Sequence, residues 1–173
     1  MLVPVANHVT GGREDTVFGI VELGGRVDLN GPLPALVAAG AIARIIGPNG
    51  TREAPVESIP VGPGKTSLQK GEIIASFFLP ARPARSGDAY QRFTPRTEMD
   101  IAVVGVGVNL TLDSSGTCTA ARVALGGVAP TVILVKEAAD ALIGSRLDDA
   151  ALDRLAKAAS AAGMRTAMRR RAR

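Results

Sequence analysis

The chain has 173 residues, 46% of them apolar and 21% charged, which suits one ordinary globular domain or two small ones and excludes a disordered, collagen-like or coiled-coil protein. Its formal charge is +4, but Arg165, Arg169, Arg170, Arg171 and Arg173 crowd the last nine residues, and residues 1–164 without them carry −1; the body therefore has no charge for gripping a polyanion. With no Trp, one Tyr and four Phe, the core is expected to be Ala, Val, Ile and Leu packed closely around twenty glycines.

Residues 1–32 are rich in Gly and polar side chains, and Gly11-Gly12, Gly24-Gly25 and the run from Asp28 to Pro32 signal turns. Residues 34–39 read as a short apolar helix, with Pro34 in its first turn and Gly40 just past its end. A strand over 41–46, a turn at Pro48-Asn49-Gly50 and a returning strand over 51–56 make a hairpin, the Asn-Gly pair accepting positive φ. Residues 59–65 look like a linker, and 72–79 is an apolar strand ending at Pro80. Strands follow over 89–93, 101–112 and 117–125, the last two joined by a turn at Asp113-Ser114-Ser115-Gly116. The chain then becomes helical, over 136–143 up to Gly144, and again from Asp148 or Asp149 with Leu152, Leu155 and Ala159 along one face. Strands followed by helices imply an α+β layer, an antiparallel sheet of three to four strands packed with helices.

Most chemical motifs are weak. Gly62-Pro63-Gly64-Lys65-Thr66 resembles the end of a phosphate-binding loop, but that signature requires a Gly where Ile59 stands, and Pro63 removes an N–H from the cradle. A plain turn is expected. Gly105-Val106-Gly107 lacks the third glycine of a dinucleotide fingerprint and marks close packing between layers instead. His8 is the only histidine, expected in a solvated loop, so neither a Ser/His/Asp triad nor a histidine-rich metal site can be assembled. Cys118, the single cysteine, excludes an internal disulfide and any all-cysteine cluster; a buried structural thiol in a strand is expected, in a reducing cytoplasm. The first residues lack a basic start and an apolar run, and no stretch approaches twenty apolar residues, so neither a signal peptide nor a membrane span is expected. The arginine-rich end, a basic tail over 165–173, is expected to be a solvated helix end; with few aromatic side chains for base stacking, nucleic-acid binding is disfavoured.

Taken in order, a set of short motifs resembles one family. These are Asp28-Leu29-Asn30, the run from Pro34 to Ala41, the run from Val61 to Thr66, Gly71-Glu72-Ile73-Ile74, Ala89-Tyr90-Gln91-Arg92-Phe93, the run from Arg96 to Ala102, and the run from Leu125 to Thr131. Together they resemble the FAD-binding medium subunit of molybdenum hydroxylases, the carbon monoxide dehydrogenase and xanthine dehydrogenase family, over roughly residues 28–160. The resemblance implies a remnant of the FAD-binding domain over 1–66 and the family's carboxyl-terminal α+β domain over 67–164. It also implies an oxidoreductase subunit that passes electrons to an external acceptor through FAD. The donors would be two [2Fe–2S] clusters in a small partner subunit, fed by a molybdenum cofactor in a large one. The cofactor then performs the redox step, and an absence of catalytic His or Cys is natural.

Residue by residue, the resemblance places Asp28 near the flavin cleft, where a carboxylate accepts hydrogen bonds from cofactor hydroxyls or the ring; a turn Asp bonding its own backbone is the rival reading. Tyr90 would wall the isoalloxazine, against ordinary strand packing. Arg92, where relatives often carry Lys, would stabilise negative charge on reduced flavin, against a solvated strand-end cation. Asp100 is expected to hold a turn. The family's amino-terminal Gly-Gly loop and its Thr-Ile-Gly-Gly-Asn segment have no recognisable counterpart, so a truncated, carboxyl-terminal portion is expected. Whether it is active alone stays open, and a noncatalytic interaction module of the same fold is the alternative.

Overall fold

The computed structural model describes residues 3–10, 13–19, 33–93 and 103–171, with side chains described for 33–93 and 103–164. Contacts divide the chain into two units, Met1–Asp28 with Gly40–Ala81, and Leu29–Ala39 with Arg82–Arg173.

The first unit opens with β1 (Val3–Thr10) and β2 (Arg13–Gly19), antiparallel from Thr10↔Arg13 to Val3↔Gly19 with a register shift between Pro4 and Asn7. Gly11-Gly12, read as a turn, is the link between them and lies outside the described residues, as do Gly24-Gly25 and Asp28 to Pro32. His8 is not in a loop; it stands in β1 opposite Asp15. Polar residues occupy so many positions of both strands that apolar alternation, the usual strand signal, is missing.

After α1 (Leu33–Ala38), which belongs to the second unit, Gly40 turns the chain at φ +70°. Strand β3 (Ile42–Gly47) pairs with β4 (Gly50–Pro55) from Gly47↔Gly50 to Ile42↔Pro55, so Pro48-Asn49 is a two-residue connection. Here the positive φ falls on Gly50, at +111°, and not on Asn49. A 3₁₀ turn at Val56–Ser58 leads to a small hairpin of β5 (Pro60–Gly62) and β6 (Lys65–Thr66), where a linker was expected. Strand β7 (Ile73–Phe78) takes the other side of β3, completing a sheet of order β4-β3-β7. Ala43, Ile45, Ala54 and Phe77 are buried apolar side chains of its strands, and Val56 and Ile59, just after β4, are buried too. Strand β7 thus pairs within the first unit, and α1 groups with the second.

The second unit is an antiparallel sheet of order β11-β10-β9-β8 with helices, an α+β fold. Its strands are β8 (Ser86–Phe93), β9 (Val104–Leu112), β10 (Cys118–Gly126) and the two-residue β11 (Ile133–Leu134). Strand β8 starts three residues earlier than its apolar pattern suggests, because its register with β9 runs unbroken from Ser86↔Thr111 to Phe93↔Val104. Asp113 builds the β9-β10 turn by accepting from the Ser115 and Thr117 amides at 2.8 and 2.9 Å and from Ser115 Oγ at 2.7 Å.

Helix α2 (Lys136–Asp140) is shorter than expected, giving way to turns over 141–144 before Gly144 at φ +82°. Helix α3 (Asp149–Arg171) carries helical backbone into the basic tail. Val106, Val108, Leu110 and Leu112 of β9 and Val123 and Leu125 of β10 pack with Ala138, Ala139 and Leu142 and with Leu155, Ala158, Ala159 and Ala162 of α3. Leu155 and Ala159 of the expected stripe pack on this core, but Leu152 does not: it is 45% exposed, and Ala151 is fully buried.

Candidate functional site

Strand alternation sorts the sheet of the second unit into two unlike faces. Val106, Val108, Leu110, Val123 and Leu125 belong to the cluster shared with α2 and α3. The intervening positions, Gly105, Gly107 and Asn109 on β9 and Arg122 on β10, face the other way and receive α1. An added Cβ on Gly107 would collide with the carbonyl oxygen of Pro34 and stand 3.0 Å from the Ala35 nitrogen. The Gly-Val-Gly run is thus a site of close approach between layers, as read from sequence. Arg122 Nη2 donates to the Val37 carbonyl oxygen at 3.0 Å. Val37 is fully buried, and a buried acceptor stripped of its partner costs about 1–3 kcal/mol.

Tyr90 pairs with Gly107 and Arg92 with Gly105, so both side chains rise from the face that carries α1. Tyr90 is half-buried and Arg92 exposed; neither points into the dry core. Two residues before Tyr90, Asp88 accepts an ion pair from Arg82 at 2.7 Å. Asp28, Asp100 and the run from Arg96 to Ala102 lie outside the described residues. The structure therefore brings two of the three candidate side chains to one face of one strand. A ring with a polar tip beside a cation can pack on a flat, electron-rich group and offset its charge.

The other motifs resolve as structure. Gly62 to Thr66 is the β5-β6 hairpin with Gly64 at φ +66°, and no helix follows to complete a phosphate cradle. Cys118 is 1% exposed at the start of β10, and burial pushes its thiol up from its ordinary range. Among the described residues no three His, Cys, Asp or Glu side chains gather to hold a metal ion, and no helix is long and apolar enough to cross a membrane.

Two polar arrangements went unread. Arg52 donates from Nε and Nη2 to the two oxygens of Glu72, both at 2.8 Å, and the Gln69 amide adds a third bond at 2.7 Å. The Arg52 hydrogen bonds, then the Gln69 amide, bring the Glu72 pKa down to about 2. Arg122 was the other; its available signal was a lone cation amid the small and apolar residues Ala120, Ala121, Val123 and Ala124.

Residues 88–172 match the family model of the CO dehydrogenase flavoprotein C-terminal domain. The carbon monoxide dehydrogenase medium chain of Afipia carboxidovorans is 33% identical over 135 residues, 78% of this chain and 46% of that one. A putative xanthine dehydrogenase FAD-binding subunit of Escherichia coli is 31% identical over 127 residues, 73% of this chain and 43% of its own length. Among solved structures, the carbon monoxide dehydrogenase of Hydrogenophaga pseudoflava superimposes with a TM-score of 0.71 at 31% identity, over 79% of this chain and 47% of that one. The chain spans less than half the length of these relatives.

Proposed function

We infer that this chain, whose residues 88–172 belong to the CO dehydrogenase flavoprotein C-terminal domain family, serves as part of the FAD-binding subunit of a molybdenum hydroxylase. The observation that carries the reading is the pairing of Tyr90 and Arg92 on the α1 face of the sheet, half-buried and exposed, within the family-matched segment. Relatives named as a medium chain and as an FAD-binding subunit support it.

Tyr90 and Arg92 fit a flavin chemically. The Tyr90 ring offers a flat apolar surface with a hydroxyl at its rim, and the Arg92 guanidinium offers a fixed positive charge. FAD, when bound, accepts and releases electrons; the protein's part is to hold the ring, exclude water from one face and set the local field. Arg92 favours the reduced cofactor by offsetting its negative charge, and the Asp28 carboxylate accepts from cofactor hydroxyls. In this reading electrons arrive from iron–sulfur clusters in a small partner subunit, supplied by a molybdenum site in a large one, and leave to an external acceptor. In the same reading the earlier residues, through 66, contribute the end of an FAD-binding domain and residues 67–164 the carboxyl-terminal domain; the family match over residues 88–172 supports the second part.

Because the chain has no Trp and a single Tyr, Tyr90 is a built-in reporter. Adding FAD is expected to quench tyrosine emission saturably, and Tyr90→Ala to weaken FAD binding about tenfold, the scale of an aromatic contact worth about 0.5–1.5 kcal/mol. Arg92→Gln should leave affinity nearly intact and lower the flavin midpoint potential. Emission that ignores FAD, with or without molybdenum and iron–sulfur partner subunits, would sink the reading.

A further inference from the structure

We propose that the close approach of α1 to Gly107 positions the Tyr90 ring. Backbone of the helix fills the space over Gly107 that the ring would otherwise cover, turns the ring towards the outer side of β8, and so confines a stacked flavin to that end strand. This rests on the FAD reading of Tyr90, and every residue involved belongs to the second unit.

Tyr90 stands directly opposite Gly107 in the β8-β9 register, and Cβ positions directly opposite each other in an antiparallel pair lie about 4.5–5.5 Å apart. An aromatic ring facing a glycine across such a pair folds over the bare Cα and makes up for the missing side chain. Here that seat is taken. An added Cβ on Gly107 would collide with the Pro34 carbonyl oxygen and lie 2.7 Å from the Pro34 carbonyl carbon and 3.0 Å from the Ala35 nitrogen. These are backbone atoms of the first turn of α1, and they cannot swing aside as the end of a long side chain can. Pro34 is itself fully buried, and its ring fixes its φ. Helix α1 borders β8 as well as β9 and β10, so the same turn bounds the inner side of Tyr90. Strand β8 ends the sheet order β11-β10-β9-β8, which leaves the outer side of that strand for the ring. The burial pattern agrees: Tyr90 is half-buried, while its neighbours Asp88, Ala89, Gln91 and Arg92 are all exposed.

The consequence is a flavin seat one strand wide. Alternation puts Asp88, Tyr90 and Arg92 on the α1 face of β8, and α1 covers that face over β9 and β10. Arg82 offsets the Asp88 carboxylate at one end of the strip, at 2.7 Å, and Arg92 supplies the positive charge at the other. A ring already turned towards this strip has fewer orientations to lose when a flat ligand stacks on it, and such preorganisation strengthens binding. Gly107 need not touch the cofactor for this; it acts through α1 on Tyr90.

The experiment uses the whole chain and two readouts. Without flavin, NMR compares the wild-type chain with Tyr90→Leu, which removes the only tyrosine ring. A ring lying over a glycine moves the glycine α protons strongly upfield; here the Tyr90 ring current is expected on Pro34 and Ala35 and not on Gly107, and an upfield Gly107 in the wild-type chain overturns the proposal. With flavin, FAD is titrated against two variants that disturb α1 from different ends. Gly107→Ala sets a methyl group against the Pro34 backbone, and Arg122→Met removes the donor that holds the Val37 carbonyl at 3.0 Å. Both are expected to move the Tyr90 ring resonances while the Val123 and Leu142 amides keep their shifts, and to raise the FAD dissociation constant about two- to tenfold, the effect of releasing one ordered side chain. Arg122→Lys, which can still donate, restores most of the affinity. Tyr90 resonances that stay in place in both variants, or that move with no change in FAD affinity, overturn the positioning role. A wild-type chain that binds no FAD removes the flavin reading instead, while the ring-current comparison still decides whether α1 turns the ring.

Discussion

Glu72 keeps its charge further into acid than a free carboxylate because Arg52 grips both of its oxygens and the Gln69 amide adds a third bond. Its pKa falls from 4.5 to about 2 in the folded chain, so the folded state binds this proton less readily than the unfolded one. The stabilisation is complete above pH 4.5 and is lost as pH falls towards 2. Glu72→Gln is expected to lower the thermal midpoint at pH 7 and to flatten its decline between pH 4.5 and 2, read by calorimetry across that window. Gly107 makes a steric prediction. Gly107→Val forces a branched side chain into the Pro34 backbone and should cost about 1–3 kcal/mol, the range for overpacking, measured by urea unfolding. Cys118, buried and raised in pKa, should ignore a thiol reagent in the native chain and react at once in denaturant.

Helix α3 begins where Asp148 accepts from the Ala151 amide at 2.8 Å, satisfying one of the orphan donors of its first turn. Removing that cap in Asp148→Ala should cost about 1 kcal/mol, seen as a fall of about 2–4 °C in thermal midpoint for a chain of this size. Element boundaries of this kind were legible from sequence because they depend on neighbours in the chain. Pro34 and Gly40 frame α1, Pro48-Asn49 joins β3 to β4, and Asp113 closes the β9-β10 turn. The failures have equally local causes. Strands β1 and β2 are too polar to show alternation, and β11 has two residues, too few to show any period. In α3, Ala is so frequent that several stripes fit the helical period, and only packing chose Ala151 and Leu155 over Leu152.

At the scale of the whole molecule, the second unit rests on a core shared by the sheet and both later helices. Leu142, 2% exposed within it, should cost about 2–5 kcal/mol when cut to Ala. The family was legible in the sequence because its motifs recur in order along the chain, and order along a chain needs no coordinates. Sequence by itself determined the α+β class, the β3-β4 hairpin and the β9-β10 turn, the buried thiol and the family resemblance, since each follows from composition, period or adjacency. Only the tertiary structure decided that Tyr90 and Arg92 share the α1 face, that Arg52 clasps Glu72, and that Arg122 meets Val37 across 85 positions. These contacts depend on strand register and on how closely a helix can approach a glycine, and neither is set until the sheet has folded.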